Sequence, residues 1–164
     1  MLNSWEKIEK VFQLPSTPRG LKTLVCSGKV LPPPNPAAQH TFTLLSSPYG
    51  LPELGYKNQA FNLALCSQFL FWYSDLLSED FHVTSLMAFC RVATEVQIYP
   101  LIDRFGKPSL HLGNVLQRLQ EHGIGAEVKS IAQPIQGSDN ALLRLWTETC
   151  TLTSPTAKAA LLNK

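Results

Sequence analysis

The clearest hydrophobic pattern in this chain is a short, largely apolar run over residues 61–66, followed by Ser67 and an aromatic-rich segment that reaches Tyr73. A short apolar run bounded by turn residues predicts a strand buried on both faces, and such strands are typical of parallel sheets in α/β proteins. Ligands of these sheets bind beyond the carboxyl ends of the strands. Because Cys66 and Ser67 lie at such an end, the pattern predicts both a fold class and a ligand-binding edge.

Helix and strand patterns alternate regularly after residue 59. The segment 78–80 (SED) indicates a helix start, because acidic residues in a first turn suit the positive end of the helix dipole. Apolar positions then recur at helical spacing, namely Phe81, Leu86, Phe89, Cys90 and Ala93. The remaining patterns predict a strand over 95–102, a helix from Ser109 or His111 that Gly123 and Gly125 end, and strands over 126–131 and 141–146. The order is β-α-β-α-β-β, and the short final connection predicts that the last two strands are antiparallel.

The first 58 residues have a different pattern. Apolar positions predict a helix over 3–12, and Pro15 ends it. Short strands are expected over 21–25 and 29–31 as a hairpin around the segment 26–28 (CSG), with another strand over 41–45. The proline-rich segment 32–36 is typical of a stiff linker. We therefore divide the chain into a divergent N-terminal segment (1–58), an α/β core (59–150) and a tail (151–164).

Composition narrows the function classes. With 164 residues, 45% of them hydrophobic, the chain is large enough for one domain with a buried core. A net charge of +2 and scattered basic residues give no electrostatic footprint for nucleic acid. No run approaches the roughly 18 apolar residues of a membrane span, so we expect a cytoplasmic protein. The four cysteines and four histidines show no metal-ligand spacing, and no metal site is predicted.

The ordered local sequences of this core resemble the C-terminal half of class I S-adenosylmethionine-dependent methyltransferases, in one bacterial subgroup. Residues 61–67 (FNLALCS) are similar to the fourth-strand motif of that superfamily, and further similarities follow at 68–73, 90–93, 95–101 and 136–144. The resemblance covers about residues 59–146. It implies a Rossmann-like half-sheet closed by an antiparallel pair, with S-adenosylmethionine as the cofactor and methyl transfer as the activity.

The chain departs from that family in the half of the sheet that binds the cofactor. The family has a glycine-rich turn after its first strand and an acidic residue after its second, which holds the ribose. Upstream of residue 59 the nearest candidate turn, 24–28 (LVCSG), has one glycine, and no Asp or Glu occurs between Glu9 and Glu53. The glycine-rich half is therefore missing or replaced, and Asn62 stands where the family usually has Asp.

The resemblance places candidate cofactor-binding residues beyond the fourth strand: Cys66, Ser67, Phe69 and Tyr73. A role in the core or in an interface competes with cofactor contact for the aromatic residues. His82 and His111 match positions that the subgroup tends to carry, and hydrogen bonding to a helix start competes with catalysis there. No catalytic residue is assigned, because methyl transfer depends on in-line positioning more than on an acid–base pair.

Two functions remain open. The first is a methyltransferase-like protein that uses S-adenosylmethionine and is truncated or degenerate, and so inactive alone. The second is a non-catalytic interaction or dimerisation module on the same half-sheet. A half-sheet leaves a strand edge unpaired, which predicts a homo-oligomer through that edge or a cover formed by strands from 21–31 and 41–45.

Overall fold

A six-stranded mixed β-sheet forms the centre of the protein, in a computed structural model that describes residues 10–12, 21–28, 41–44, 50–131 and 141–147. Two helices pack on this sheet. The strands are β1 (Lys22–Ser27), β2 (Thr41–Leu44), β3 (Phe61–Ser67), β4 (Ala93–Tyr99), β5 (Ile124–Ser130) and β6 (Ala141–Thr147). Two helices lie wholly within the described residues, α1 (Glu79–Val92) and α2 (Leu112–Glu121), and a 3-10 turn spans Phe71–Tyr73.

The strand order in space is β2-β1-β3-β4-β6-β5. The four strands β2, β1, β3 and β4 are parallel, whereas β6 is antiparallel to both β4 and β5. From β3 onward the chain follows β-α-β-α-β-β, with α1 between the parallel neighbours β3 and β4 and α2 between β4 and β5. The predicted α/β class, this order and the antiparallel final pair are all confirmed.

The predicted hairpin around residues 26–28 is wrong. Cys26 and Ser27 are the last residues of β1, which is parallel to both of its neighbours. Four consecutive buried residues, Thr23 to Cys26, suit a central strand with covered faces rather than one arm of an exposed turn. The predicted partner strand over 29–31 and the proline-rich segment 32–36 lie outside the described residues.

The two N-terminal strands extend the sheet beyond β3. β1 pairs with β3 from Thr23↔Leu63 to Ser27↔Ser67, so the β3 edge is covered by strands from 21–31 and 41–45, as the sequence allowed. Asn62 contributes to the start of this pairing, since its Oδ1 accepts a hydrogen bond from Lys22 N at 3.0 Å. Of the predicted helix over 3–12, only residues 10–12 are described, and Lys10 and Val11 are helical. The tail 151–164 lies outside the described residues.

Helix α1 begins as its sequence predicts. Ser78 is the N-cap, and its Oγ accepts a hydrogen bond from Phe81 N at 3.2 Å. Glu79 and Asp80 lie in the first turn, where Arg118 of α2 contacts their carboxylates at 3.2 and 2.6 Å. The helix ends one residue earlier than its apolar spacing predicts, because Ala93 already has an extended backbone and begins β4.

Helix α2 and β5 differ from prediction at their junction. Gly123 has φ +74°, a left-handed conformation that glycine adopts without steric cost, and it ends the helix as predicted. Gly125 lies inside β5, which begins at Ile124 rather than at residue 126. Because Gly123 already completes the turn out of the helix, the chain is extended when it reaches Gly125.

The core has two layers, one on each face of the sheet. On one face, Leu24, Cys26 and Ala64 belong to the apolar cluster that contains the buried side chains of α1 and α2. On the other face, Val25, Leu65 and Tyr99 belong to a smaller cluster with Val11 and Phe12. Buried side chains on both faces of the central strands hold the carboxyl ends of β1, β3 and β4 in a fixed arrangement.

Candidate functional site

Three parallel strands end together at one edge of the sheet. Ser27 of β1 pairs with Ser67 of β3, and Ser67 pairs with Tyr99 of β4. β1 has β2 on its other side, whereas β3 continues to β4, so the direction in which strands are added reverses between β1 and β3. Ligands of open α/β sheets bind outside the strand ends at such a switch point. This edge is therefore the candidate site.

Hydrogen bonds continue past the ends of these strands. Gly28 N donates to Ser67 O at 3.0 Å, and Gln68 N donates to Tyr99 O at 2.7 Å. A Cβ on Gly28 would lie well under 3.0 Å from the Gln68 carbonyl oxygen and 3.1 Å from its carbon. Gly28 therefore has no room for a side chain because the backbone of Gln68 passes close to it. In a glycine-rich cofactor-binding turn, by contrast, the glycine allows a ligand to come close.

The structure brings two of the four predicted site residues together. Phe69 is buried and Tyr73 is half-buried, and their rings meet edge to face at 6.1 Å between centroids. The Tyr73 ring edge also approaches Gly28, since its Cε2 lies 3.4 Å from where a Cβ would be. Both aromatic residues follow the end of β3, where the sequence analysis expected the site, and the Tyr73 ring also lies beside the end of β1.

The other two predicted residues lie in β3 itself. Cys66 is fully buried and belongs to the core cluster on the helical face, directly opposite Cys26 of β1. The hydrogen bond with Cys66 and burial raise the pKa of the Cys26 thiol, so Cys26 is not suited to act as a thiolate nucleophile at neutral pH. Ser67, 3% exposed, is the last strand residue and lies on the edge. Cofactor contact by all four residues stays a prediction.

Gln68 is the residue that the sequence analysis did not select. Its φ of +51° is left-handed, which costs energy in a residue with a side chain, and such strain is concentrated at functional sites. The side chain is only 8% exposed, and its Nε2 has no hydrogen-bond partner within the described part of the chain. A polar residue directly after an apolar strand was the available sequence signal. An unpaired amide N–H here would bind an acceptor oxygen.

A buried histidine anchors the segment that follows. His82 of α1 is fully buried, with Nδ1 2.7 Å from Ser78 O and Nε2 2.9 Å from Leu70 O. Burial lowers the pKa of His82, against the opposing effect of these carbonyl groups. A neutral ring donates to one carbonyl only. His82 therefore connects α1 to the loop beyond β3, which is the hydrogen-bonding role that competed with catalysis in the sequence analysis.

A second contact to the same loop comes from the start of α2. His111 Nε2 lies 3.1 Å from Ser74 O, and the Ser74 and Ser109 hydroxyls are 2.5 Å apart. The His82 and His111 rings are 5.1 Å apart. Both histidines thus contact the backbone of this loop, His82 through both ring nitrogens and His111 through Nε2.

Asp103, after β4, has a structural role in its turn. Its Oδ1 accepts hydrogen bonds from Phe105 N at 2.9 Å and Lys107 N at 3.0 Å. Asp103 N in turn donates to Lys107 O. Accepting two backbone N–H groups in this way is the usual role of an aspartate in a turn.

The described residues do not fit the adenosine half of S-adenosylmethionine, the cofactor implied by the resemblance. β2 ends at Leu44, and the next acidic residue in the sequence is Glu53, so no carboxylate directly follows β2 to hold a ribose. Gly28 is packed against the chain's own backbone, and the next glycine after it in the sequence is Gly50. Within the described residues, no group of three or more His, Cys, Asp or Glu side chains could hold a metal ion.

The chain has limited similarity to known proteins in sequence and in fold. No established protein-family profile matches the chain. It is 27% identical over 66 residues to an uncharacterized protein of Methanocaldococcus jannaschii, a match that spans 40% of this chain and 30% of that protein. A TehB-like SAM-dependent methyltransferase from Corynebacterium glutamicum shares 12% identity, with a TM-score of 0.47 and 84% of each chain covered. Among the helices of the described residues, none is long and apolar enough to cross a membrane.

Proposed function

We propose that this chain is a methyltransferase-like protein that is degenerate at its cofactor site and inactive alone. Its support is the fold built from β3 onward, with parallel strands, intervening helices and the antiparallel strand β6 inserted between β4 and β5. The carboxyl end of β3 and the segment after it carry Ser67, Phe69 and Tyr73, three of the four positions, with Cys66, at which the resemblance implies contact with the methionine part of the cofactor.

We infer that the chain is inactive because no carboxylate directly follows β2. A ribose presents two adjacent hydroxyl groups, and an acidic residue at the end of the second strand is how dinucleotide-binding sheets bind them. No Asp or Glu lies between residues 9 and 53, so hydroxyl recognition by a carboxylate is lost at this position. A single glycine after β1 likewise removes the backbone surface that a glycine-rich turn would provide.

Calorimetric titration with S-adenosylmethionine and S-adenosylhomocysteine tests this proposal. We expect no saturable heat up to about 1 mM ligand, which corresponds to less than roughly 4 kcal/mol of binding free energy. A thermal-shift series with the same ligands is the control, since binding to the folded state would raise the melting temperature. A dissociation constant near 1 μM, about 8 kcal/mol, would contradict the proposal and indicate that other residues have replaced the missing half-site.

Association with another chain is the alternative role of a sheet without its cofactor. The observation that favours it is the exposed outer side of β5, where Val128 is 52% exposed. This alternative requires no ligand at the strand ends, so it can be tested independently. A cytoplasmic location stays a prediction.

A further inference from the structure

The outer edge of β5 is the surface from which this inference starts. β5 is the last strand of the described sheet and pairs only with β6 there, through Ile124↔Thr147 to Ser130↔Ala141. The outward N–H and C=O groups of an edge strand are a template for another strand. Val128, near the middle of this edge, is an exposed apolar residue with 52% of its surface accessible.

The charges beside Val128 are self-complementary. Glu127 and Lys129 flank it and point to the same face of the sheet, because side chains alternate along a strand. If two copies of β5 pair antiparallel with Val128 opposite Val128, each Glu127 lies opposite the Lys129 of the other copy. Two opposite-charge pairs and one apolar pair then lie in a single register.

Other registers lose this complementarity. Centring the pair on Glu127 or on Lys129 places like charges opposite each other, which is destabilising. A centre between Glu127 and Val128 places each charge opposite an apolar residue. The charge pattern therefore selects one antiparallel register of β5 with itself, whereas β2 (TFTL) carries no charge that could select one.

The contacts of Glu127 and Lys129 within the chain leave both side chains able to pair with a second copy. Glu127 Oε2 is 3.5 Å from Arg144 Nη1, a long ion pair, and the Glu127 side chain is 47% exposed. Arg144 has a closer partner in Glu95 at 2.9 Å. Lys129 adds a weaker Coulombic attraction to Glu95, whose pKa is lowered overall although burial raises it.

We propose that the β5 edge binds a second copy of this chain, antiparallel and centred on Val128, so that two six-stranded sheets become one continuous sheet. The inference specifies the alternative role given above, association with another chain, and it does not depend on the methyltransferase-like role, because no cofactor takes part. A strand pair with its flanking side chains buries less than the roughly 1,200 Å² of a standard stable interface. The dimer is therefore reversible and depends on concentration.

Sedimentation velocity over a concentration series up to about 1 mM chain tests the proposal. We expect a monomer–dimer equilibrium for the native sequence. Glu127→Lys and Lys129→Glu each convert both opposite-charge pairs into like-charge pairs, so each should weaken dimerisation about tenfold or more. The double variant, Glu127→Lys with Lys129→Glu, restores opposite charges and should dimerise like the native protein. An equimolar mixture of the two single variants should form heterodimers.

Two results would overturn the proposal. One is a native chain that stays monomeric throughout the series, and the other is a dimer that neither single variant weakens, which would place the contact elsewhere. Far-ultraviolet circular dichroism and thermal unfolding of each variant control for the fold. Glu127→Lys places a lysine beside Arg144, so if that variant fails to fold, Lys129→Glu and Val128→Lys carry the test, and unchanged dimerisation in both contradicts the inference.

Discussion

Replacing Gly28 by alanine probes the closest backbone approach at the candidate site. A Cβ there would lie well under 3.0 Å from the Gln68 carbonyl oxygen, a distance that real Cβ atoms essentially never show. The obstacle is main chain, which cannot rotate away as a flexible side chain would. Either β1 or the segment after β3 has to move, and the hydrogen bond from Gly28 N to Ser67 O, 3.0 Å long, lies between them.

The expected loss follows from three contributions. Forcing a methyl group into a packed site costs about 1–3 kcal/mol, and a weakened backbone hydrogen bond costs about 0.5–1.5 kcal/mol. Alanine also lowers the conformational entropy of the unfolded chain, which stabilises the folded state by about 0.4–1 kcal/mol. We expect Gly28→Ala to lower the free energy of unfolding by about 2 kcal/mol, which corresponds to roughly 4–8 °C in melting temperature for a domain of this size.

Urea denaturation followed by circular dichroism measures this difference. Gly113→Ala is the matched control, because nothing lies within 4 Å of a Cβ at Gly113, which is in α2. Alanine in a helix is favoured over glycine by about 0.5–1 kcal/mol, so the control should be slightly stabilised. A Gly28→Ala midpoint equal to that of the native chain, at unchanged denaturant dependence, would refute the steric argument.

Two further predictions concern buried titratable groups. Burial lowers the pKa of His82 in the folded protein below its ordinary 6.5. The contribution of neutral His82 to stability is therefore present above pH 6.5 and is lost as the pH falls through the lower pKa of the folded state. An NMR titration that finds His82 titrating above pH 6.5 would contradict this. Cys26, Cys66 and Cys90 are buried, and burial raises the pKa of Cys90 to about 12. We expect none of these three thiols to be alkylated by iodoacetamide at pH 8 until the chain is unfolded, as peptide mapping by mass spectrometry would show; rapid labelling of any of them in the folded protein would show that the core opens locally.

The core from β3 onward was predictable because its signals are local. An apolar run, an N-cap serine followed by two acidic residues and a glycine with positive φ each determine their own element, as Ser78 and Gly123 illustrate. The hairpin at residues 26–28 failed for the opposite reason. Cys26, Ser27 and Gly28 have the composition of a turn, but parallel pairing with β3, forty residues away, keeps the first two extended. Non-local pairing overrides a weak turn preference.

The site shows the same division between local and non-local information. Ser67 could be placed at a strand end from its position after an apolar run, whereas the role of Gln68 depends on an unusual φ and an unpaired amide that sequence does not display. The contacts of His82 with Ser78 O, four residues away, are local, but its contact with Leu70 O requires the loop to fold back. The sequence therefore indicated a hydrogen-bonding role for His82 at the helix start, whereas its second partner, Leu70 O, depends on the tertiary structure.

The strain at Gln68 and the crowding at Gly28 have one physical origin. Hydrogen bonds between the parallel strands continue one residue past their ends, from Gly28 N to Ser67 O and from Gln68 N to Tyr99 O. The first bond brings Gly28 against the Gln68 backbone, and the second fixes the peptide that precedes Gln68. The left-handed conformation of Gln68 costs about 1–3 kcal/mol. The buried side chains of Phe69, Leu70 and Phe71 help to hold it. Gly28→Ala therefore reports on sheet continuity, whereas the cofactor titration reports on ligand binding. A destabilised Gly28→Ala variant together with no cofactor binding would mean that this edge is maintained by the fold itself, with no ligand needed to explain its strain.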